Sequence, residues 1–333
     1  MIITYSSMSK FNSCPRKYQF RYIKGLVPVD TDPALWFGSA IHDSLELLYK
    51  GCEDLIFPAL ESRYSNRAES PEENRDYLYA TAMMQAYIAK YQEEPFHPVN
   101  PSDAFGEPFI EHKFMRELIP GVVLSGKIDG LVEVTEEWTD NAGNAVYPGY
   151  YLLEHKTSSN PDDFYWSSRW TDLQCALYID SMQKLYGIQL SGCIYNVLAK
   201  PKLKQAIGET EEEYQARCAE LIAKSKTGKT TAKQKIPESD EDFIARLTEW
   251  FNQPDRLQRR VLTFDRELID DASASVENHA EELLKAMDKD RFCRRSSGCI
   301  EYGKPCEYMP ICKPGHSKAA EEQYKSQKAH IEL

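Results

Sequence analysis

The stretch Val122-Val123-Leu124-Ser125-Gly126-Lys127-Ile128-Asp129-Gly130-Leu131-Val132-Glu133-Val134 is rich in β-branched residues and alternates in polarity, which predicts a strand. A polar run follows, Asp140-Asn141-Ala142-Gly143-Asn144, and reads as a turn. Tyr150-Tyr151-Leu152-Leu153-Glu154-His155 then reads as the next strand. Two strands joined by so short a connection most simply pair antiparallel. That pairing would bring Asp129 close to Glu154.

Helical periods flank the pair. From Trp36 to Lys50 the run WFGSAIHDSLELLYK puts Ile41, Leu45 and Leu48 on one helical face, and His42 and Glu46 on a neighbouring one. Residues 71–95 read as a second helix with Tyr77, Tyr79, Ala82, Met83 and Tyr87 on its apolar side. Downstream, Trp170 to Tyr186 reads as a helix, Leu190 to Leu198 as a strand, Val261 to Phe264 as another, and 268–289 as a last long helix. Residues 203–260 differ in character. Glu209 to Tyr214 opens a charged helix, and Lys224 to Lys235 is a basic, apolar-poor loop, so the segment reads as a helical insertion with a mobile tip. Within it, Thr227-Gly228-Lys229-Thr230 looks like the end of a phosphate-binding loop, but Ala223 stands where that pattern needs glycine, so ATP binding is not expected. The tail after Ser317 is polar and is expected to fray.

Composition narrows the classes. With 333 residues, 42% of them hydrophobic, the chain has enough apolar material for one large core or two modest ones. No apolar run is long enough to cross a bilayer, and the N-terminus does not read as a secretory signal, so a cytoplasmic protein without a membrane partner is expected. The formal net charge of −12 argues against tight non-specific binding to nucleic acid. It does not exclude catalysis on nucleic acid, because catalytic carboxylates hold cations and a local groove can still be basic.

Four short signals fall in one order: Gly38-x-x-x-His42-x-x-x-Glu46, Gly126-x-Ile128-Asp129-Gly130, Glu154-x-Lys156-Thr157 and Gln174-x-x-x-Tyr178. Alone, each has an ordinary structural explanation. In this order they resemble the motifs of RecB-like PD-(D/E)XK nucleases. The resemblance implies an α/β fold with a restriction-endonuclease-like mixed central sheet flanked by helices. It would span 1–202 and 261–315, with the insertion at 203–260 and the polar tail at 316–333.

The chemistry also follows from the residues. Phosphodiester cleavage needs a divalent cation held by a few carboxylates, with positions left open for water and phosphate. Asp129 and Glu154 would supply oxygens, and His42 an imidazole nitrogen that suits Mn²⁺ better than Mg²⁺. Lys156, two residues beyond Glu154, shares its strand face and would orient or deprotonate the attacking water. The resemblance further implies that the backbone carbonyl of His155 completes the metal shell, and that Gln174 and Tyr178 contact the site and the nucleic-acid backbone. Tyr178 as a core residue and Glu46 as a surface residue are equally open readings.

Nine cysteines in a reducing compartment are not expected to form disulfides. Four of them, Cys293, Cys299, Cys306 and Cys312, crowd into twenty residues. Cys14 with Cys299, Cys306 and Cys312 is similar to the split ligand set of iron–sulfur nucleases, and the resemblance implies a structural 4Fe–4S cluster closing the C-terminal cysteines onto the N-terminus. Cys293, Cys299, Cys306 and Cys312 alternatively make a local zinc site, although their spacing lacks the close pairs of zinc ribbons.

The function expected is a metal-dependent DNA exonuclease or end-processing nuclease acting on single strands or duplex ends. Its settings would be recombination, replication or CRISPR spacer processing, with a separate helicase, annealing or CRISPR-adaptation partner. A non-catalytic DNA-end-binding or scaffold protein of the same fold is the alternative, and a zinc-stabilised interaction protein a third.

Overall fold

The computed structural model describes residues 1–29, 33–101, 106–301 and 303–330, so the last three residues of the polar tail lie outside it. Seven strands form the central sheet: β1 (Ile2–Ile3), β2 (Phe96–Pro98), β3 (Ile110–Ile119), β4 (Val122–Val134), β5 (Gly149–Ser158), β6 (Leu190–Ala199) and β7 (Leu257–Leu262). Eight longer helices accompany them: α1 (Tyr5–Ser13), α2 (Pro33–Tyr49), α3 (Ile56–Arg63), α4 (Pro71–Lys90), α5 (Leu173–Tyr186), α6 (Glu211–Lys224), α7 (Asp240–Phe251) and α8 (Arg266–Asp288). The sheet is mixed: β4 pairs antiparallel with β3 and β5, β5 runs parallel to β6, and β6 is antiparallel to β7. The expected α/β architecture, a mixed sheet flanked by helices, is what the chain adopts.

Local sequence explains the elements that matter for function. In α2 the buried residues Phe37, Ala40, Ile41, Ser44 and Leu45 recur at helical spacing and make one face of the helix. Helix α5 is the crossover between parallel strands β5 and β6. Asp172 caps it by accepting hydrogen bonds from the backbone of Gln174 and Cys175, and Gly187 ends it at φ 66°, a left-handed conformation that glycine adopts without strain. The Asp140–Asn144 stretch does turn: Asp140 accepts hydrogen bonds from the backbone of Ala142 and Asn144.

Helices cover both faces of the sheet. Leu152, Cys193, Tyr195 and Val197 lie in one apolar cluster with residues of α1, α5 and α8. Tyr151, Leu153 and Ile194, their strand neighbours, face the opposite way, as the period of two requires. Beyond them α2, α4 and α7 share a second large cluster.

The C-terminal segment does pack on the N-terminal residues, but through charge and backbone contacts. Lys17 pairs with Glu301 at 2.6 Å and Lys10 with Glu307 at 2.8 Å. The Tyr308 hydroxyl donates to the Leu26 carbonyl, and Tyr324–Ser326 forms a two-stranded ladder with Leu26–Pro28. The expected closure by a cysteine-ligated cluster is corrected on this point. Cys14, Cys299, Cys306 and Cys312 line one mainly apolar cavity, yet no three cysteine sulfurs among the described residues come within 4.8 Å of one another.

Candidate active site

Strand β4 carries different partners along its length. One edge is paired with β3 from Val122 to Gly130 and then with β2 from Val132 to Val134. The other edge is paired with β1 at Val123 and Leu124, and with β5 only from Gly130 to Val134. Among the described residues, no strand pairs with Ser125–Asp129 on that second edge. β4 and β5 therefore part company just after the Gly130–Leu153 pair, and the next residues on each strand are Asp129 and Glu154. The fork leaves backbone groups free for side chains. The His155 N–H donates to Asp129 Oδ2 at 2.7 Å instead of to a strand carbonyl.

His42 reaches this fork from α2. Its Nδ1 lies 3.4 Å from Asp129 Oδ1 and 3.8 Å from Glu111 Oε1. Among the described residues, His42, Glu111 and Asp129 form the one group of potential metal ligands, with ligand atoms within 4.8 Å of one another. Gly38 of α2 faces β5, where a β-carbon would lie 3.4 Å from the Thr157 hydroxyl, an ordinary van der Waals contact.

Glu111 is the residue that sequence reasoning missed. It sits on β3, where Ile110 pairs with Gly130 and His112 with Ile128, so it stands opposite Asp129. The signal was available in principle: positions 111 and 129 are equidistant from Pro120, which with Gly121 makes the tight turn between β3 and β4. Its backbone is unusual for a strand, with φ at 51°. Such a conformation is costly for a residue with a β-carbon, and it lets this side chain turn toward the site. Lys127 holds its other carboxylate oxygen.

Lys156 ion-pairs with Glu154 across the i, i+2 spacing that puts both on one strand face. Glu154 itself stands outside the three-residue group. The charges interact strongly because the site is buried. Burial opposes protonated His42, but the carboxylates of Asp129 and Glu111 outweigh it and push its pKa up to about 10. Burial alone would raise Asp129, yet His42, His155 and Lys156 together hold it well below the usual carboxylate range. For Glu154 burial prevails, reinforced by the charge of Asp129, and lifts it to about 7 despite the ammonium of Lys156. Lys156 is held firmly protonated by Glu154 and Asp129, against its burial.

The His155 ring stands edge-on to the His42 imidazole, with ring centres 6.3 Å apart. It stacks on Tyr49 at 5.5 Å and its Nδ1 meets the Asn196 amide at 3.2 Å. The Arg259 Nε donates to Asn196 Oδ1 at 2.7 Å. Arginine can only donate, so Asn196 must present its NH₂ to His155, and His155 Nδ1 must accept. The imidazole is accordingly neutral, its pKa lowered to about 3, chiefly by burial. Arg259 is fully buried and also bonds Glu94 and the Tyr87 hydroxyl.

Gln174 and Tyr178 lie one turn apart on α5. Tyr178 is buried, edge-on to Phe114 at 5.2 Å, with its hydroxyl raised by burial and by the nearby charge of Glu154. Gly126 leaves the room for it, since a β-carbon there would come within 2.6 Å of the Phe114 ring and 3.0 Å of Tyr178. Gln174 is half-buried above it. Glu46 pairs with Lys50 at 2.5 Å on the surface of α2.

The iron–sulfur and zinc expectations are overturned here. The metal-type ligand group of the described residues is a histidine with two carboxylates, and no cysteine belongs to it. Two of the proposed thiol ligands are instead engaged by arginine-rich backbone and side chains: Cys14 Sγ accepts from the Arg295 N–H at 3.4 Å and Cys312 Sγ from Arg294 Nε at 3.3 Å.

Comparison with known proteins bears on most of the chain. The family described as the PD-(D/E)XK nuclease superfamily matches residues 2–313. A solved structure of a "putative exonuclease" from Eubacterium rectale is similar at 12% identity over 88% of this chain and 84% of that one, with a TM-score of 0.45. No curated protein matches. No helix among the described residues is long and apolar enough to cross a membrane.

Proposed function

Because the chain belongs to the PD-(D/E)XK nuclease superfamily, we propose that it is a divalent-metal-dependent deoxyribonuclease of the RecB-like branch, acting as an exonuclease or end-processing enzyme. The observation that carries this reading is the group formed by His42, Glu111 and Asp129 at the fork of β4 and β5, with the Glu154–Lys156 ion pair beside it.

The donor set fits a hard divalent cation. Two buried carboxylates within ligand distance of each other call for positive charge, and in the metal-free protein the neighbouring His42 supplies it by holding a proton. Two carboxylate oxygens suit Mg²⁺ or Mn²⁺, and the imidazole favours Mn²⁺. A cation bound there would polarise the phosphodiester and acidify a water molecule. The protein's own groups do the rest. Lys156, kept protonated by its carboxylate neighbours, orients the attacking water and offsets the charge that grows on the phosphate. Glu154, poised near neutrality, adds a carboxylate on the same strand face and takes up the proton that the water gives up. Gln174 steadies the phosphate backbone from α5.

Digestion of 5′- and 3′-labelled DNA, single-stranded and duplex, with Mg²⁺ or Mn²⁺ tests the reading. Progressive release of label from one end is expected, and none in EDTA. Internal fragments without end dependence would contradict the exonuclease assignment. Absence of any metal-dependent product would contradict the enzyme assignment.

A further inference from the structure

Two clefts run on from the fork and join. The first is lined by His42, Lys156 and Thr157, the second by Arg75, Lys202 and Lys204, and they share Ala34, Ser159 and Lys200. The second therefore continues the first away from the His42 side of the site.

The composition of this continuous groove contrasts with that of the protein. The chain carries a net charge of −12, yet no described residue lining either cleft is acidic. Lys200, Lys202 and Lys204 follow β6 at every second position of the chain. Pro201, between the first two, is buried, and Lys202 and Lys204 are exposed. All three lysines line the second cleft. Lys200 is fixed at the junction, 3.3 Å from Asp76 Oδ2 and over the ring of Phe37 at 4.2 Å. Arg75 shares the same buried Asp76, so two cations meet one carboxylate. Lys202 is held only by the neutral Asn160 at 2.8 Å, and no ion pair involves it or Lys204 among the described residues. Lys202 and Lys204 therefore line the second cleft without a carboxylate partner among the described residues.

Apolar side chains stand among these cations. Leu35 lines the cleft nearer the site and Ile207 the far one, and they are 71% and 84% exposed. Phosphates paired with lysines, and unstacked bases resting on apolar surface, are the two contacts by which single strands are tracked without reading their sequence.

We propose that this groove is the track of a single-stranded DNA segment that leads from the cleavage site past Ser159 and Lys200 to Lys202 and Lys204. It rests on the nuclease reading above and adds to it the strand form of the substrate and its path. The basic loop of residues 224–235 is not part of the lining, and serves as the internal control.

The test is binding of a 5′-fluorescein-labelled oligothymidylate to the full chain, followed by fluorescence anisotropy in EDTA, where no cleavage is needed. The double variant Lys202→Glu with Lys204→Glu is expected to bind about tenfold more weakly at low salt. The milder pair Lys202→Gln with Lys204→Gln is expected to keep the thermal unfolding of the wild type and to flatten the salt dependence of log K by about 0.7 per lysine removed. Lys229→Glu with Lys233→Glu is expected to bind as the wild type does, and a labelled hairpin duplex more weakly than the single strand. Unchanged affinity and salt slope in both groove variants would overturn the proposal, as would a loss confined to the loop variant or equal use of the groove by duplex. Cleavage is read separately with Mn²⁺. A wild type that binds through the groove but cuts nothing would strike the nuclease reading and leave the track standing.

Discussion

Glu111 combines a left-handed backbone with a buried carboxylate set between His42 and Lys127. If the conformation exists to aim a metal ligand, its removal should separate stability from binding. Glu111→Gly relieves the backbone and deletes the carboxylate, so thermal stability is expected to stay within about 1 kcal/mol of the wild type. Mn²⁺ affinity, by calorimetric titration, should fall at least about tenfold. Retained affinity would remove Glu111 from the site. The two raised pKa values make a second prediction. His42, near 10, holds a proton that a bound cation must displace, and the charge of that cation would drive off the proton of neighbouring Glu154, near 7. Affinity should therefore rise with pH, with about one proton released per cation above neutrality, from His42, and about two below it, as Glu154 joins. Glu154→Gln should remove the steeper limb while keeping the shallower one. A flat profile between mildly acidic and mildly basic pH would contradict the assignment of both groups.

Elements bring these residues together through the unequal lengths of their pairings. Strand β4 is long enough to serve two partners on each edge, and the interval between β1 and β5 is where the fork opens. Behind the fork, Glu94, Arg259, Asn196 and His155 form a buried chain of hydrogen bonds that links β7 to β6 and β5. Arg259→Met would leave Asn196 without its donor and Glu94 with only the Tyr49 hydroxyl. A loss of about 3–5 kcal/mol is expected in urea unfolding, and a loss below about 1 kcal/mol would mean that the chain is not structural. Much of this level was legible in the sequence. The strand at 122–134, the antiparallel partner carrying Glu154 and the helix carrying His42 all follow from period and turn chemistry, and His42 and Asp129 do lie in one ligand group. Strand β3 was less legible, because Glu111, His112 and Lys113 interrupt its alternation. The pairing of β1 with β4 was not legible at all, since it joins two residues to a strand about 120 positions away. The buried Arg259 chain was hidden for another reason: a lone arginine on a strand gives no sign of its partners until the register is known.

At the scale of the molecule, composition was the poorest guide. A net charge of −12 gives no hint of a groove lined by lysines, because charge sums over a surface and binding depends on where the charge sits. The crowding of cysteines near the C-terminus misled in the opposite direction. That segment is tied to the N-terminal residues by Lys17–Glu301, Lys10–Glu307 and a short ladder, and the metal-type group lies elsewhere, among His42, Glu111 and Asp129. The proposed function makes this group the seat of metal-dependent DNA cleavage. Single-turnover cleavage of an end-labelled oligonucleotide with Mn²⁺, by the wild type and by Asp129→Ala of matched thermal stability, tests it most directly. Cleavage by the wild type that EDTA abolishes is expected, with a rate lower by about a thousandfold in Asp129→Ala. Cleavage by the wild type in EDTA, or a variant retaining more than about a tenth of the rate, would contradict it.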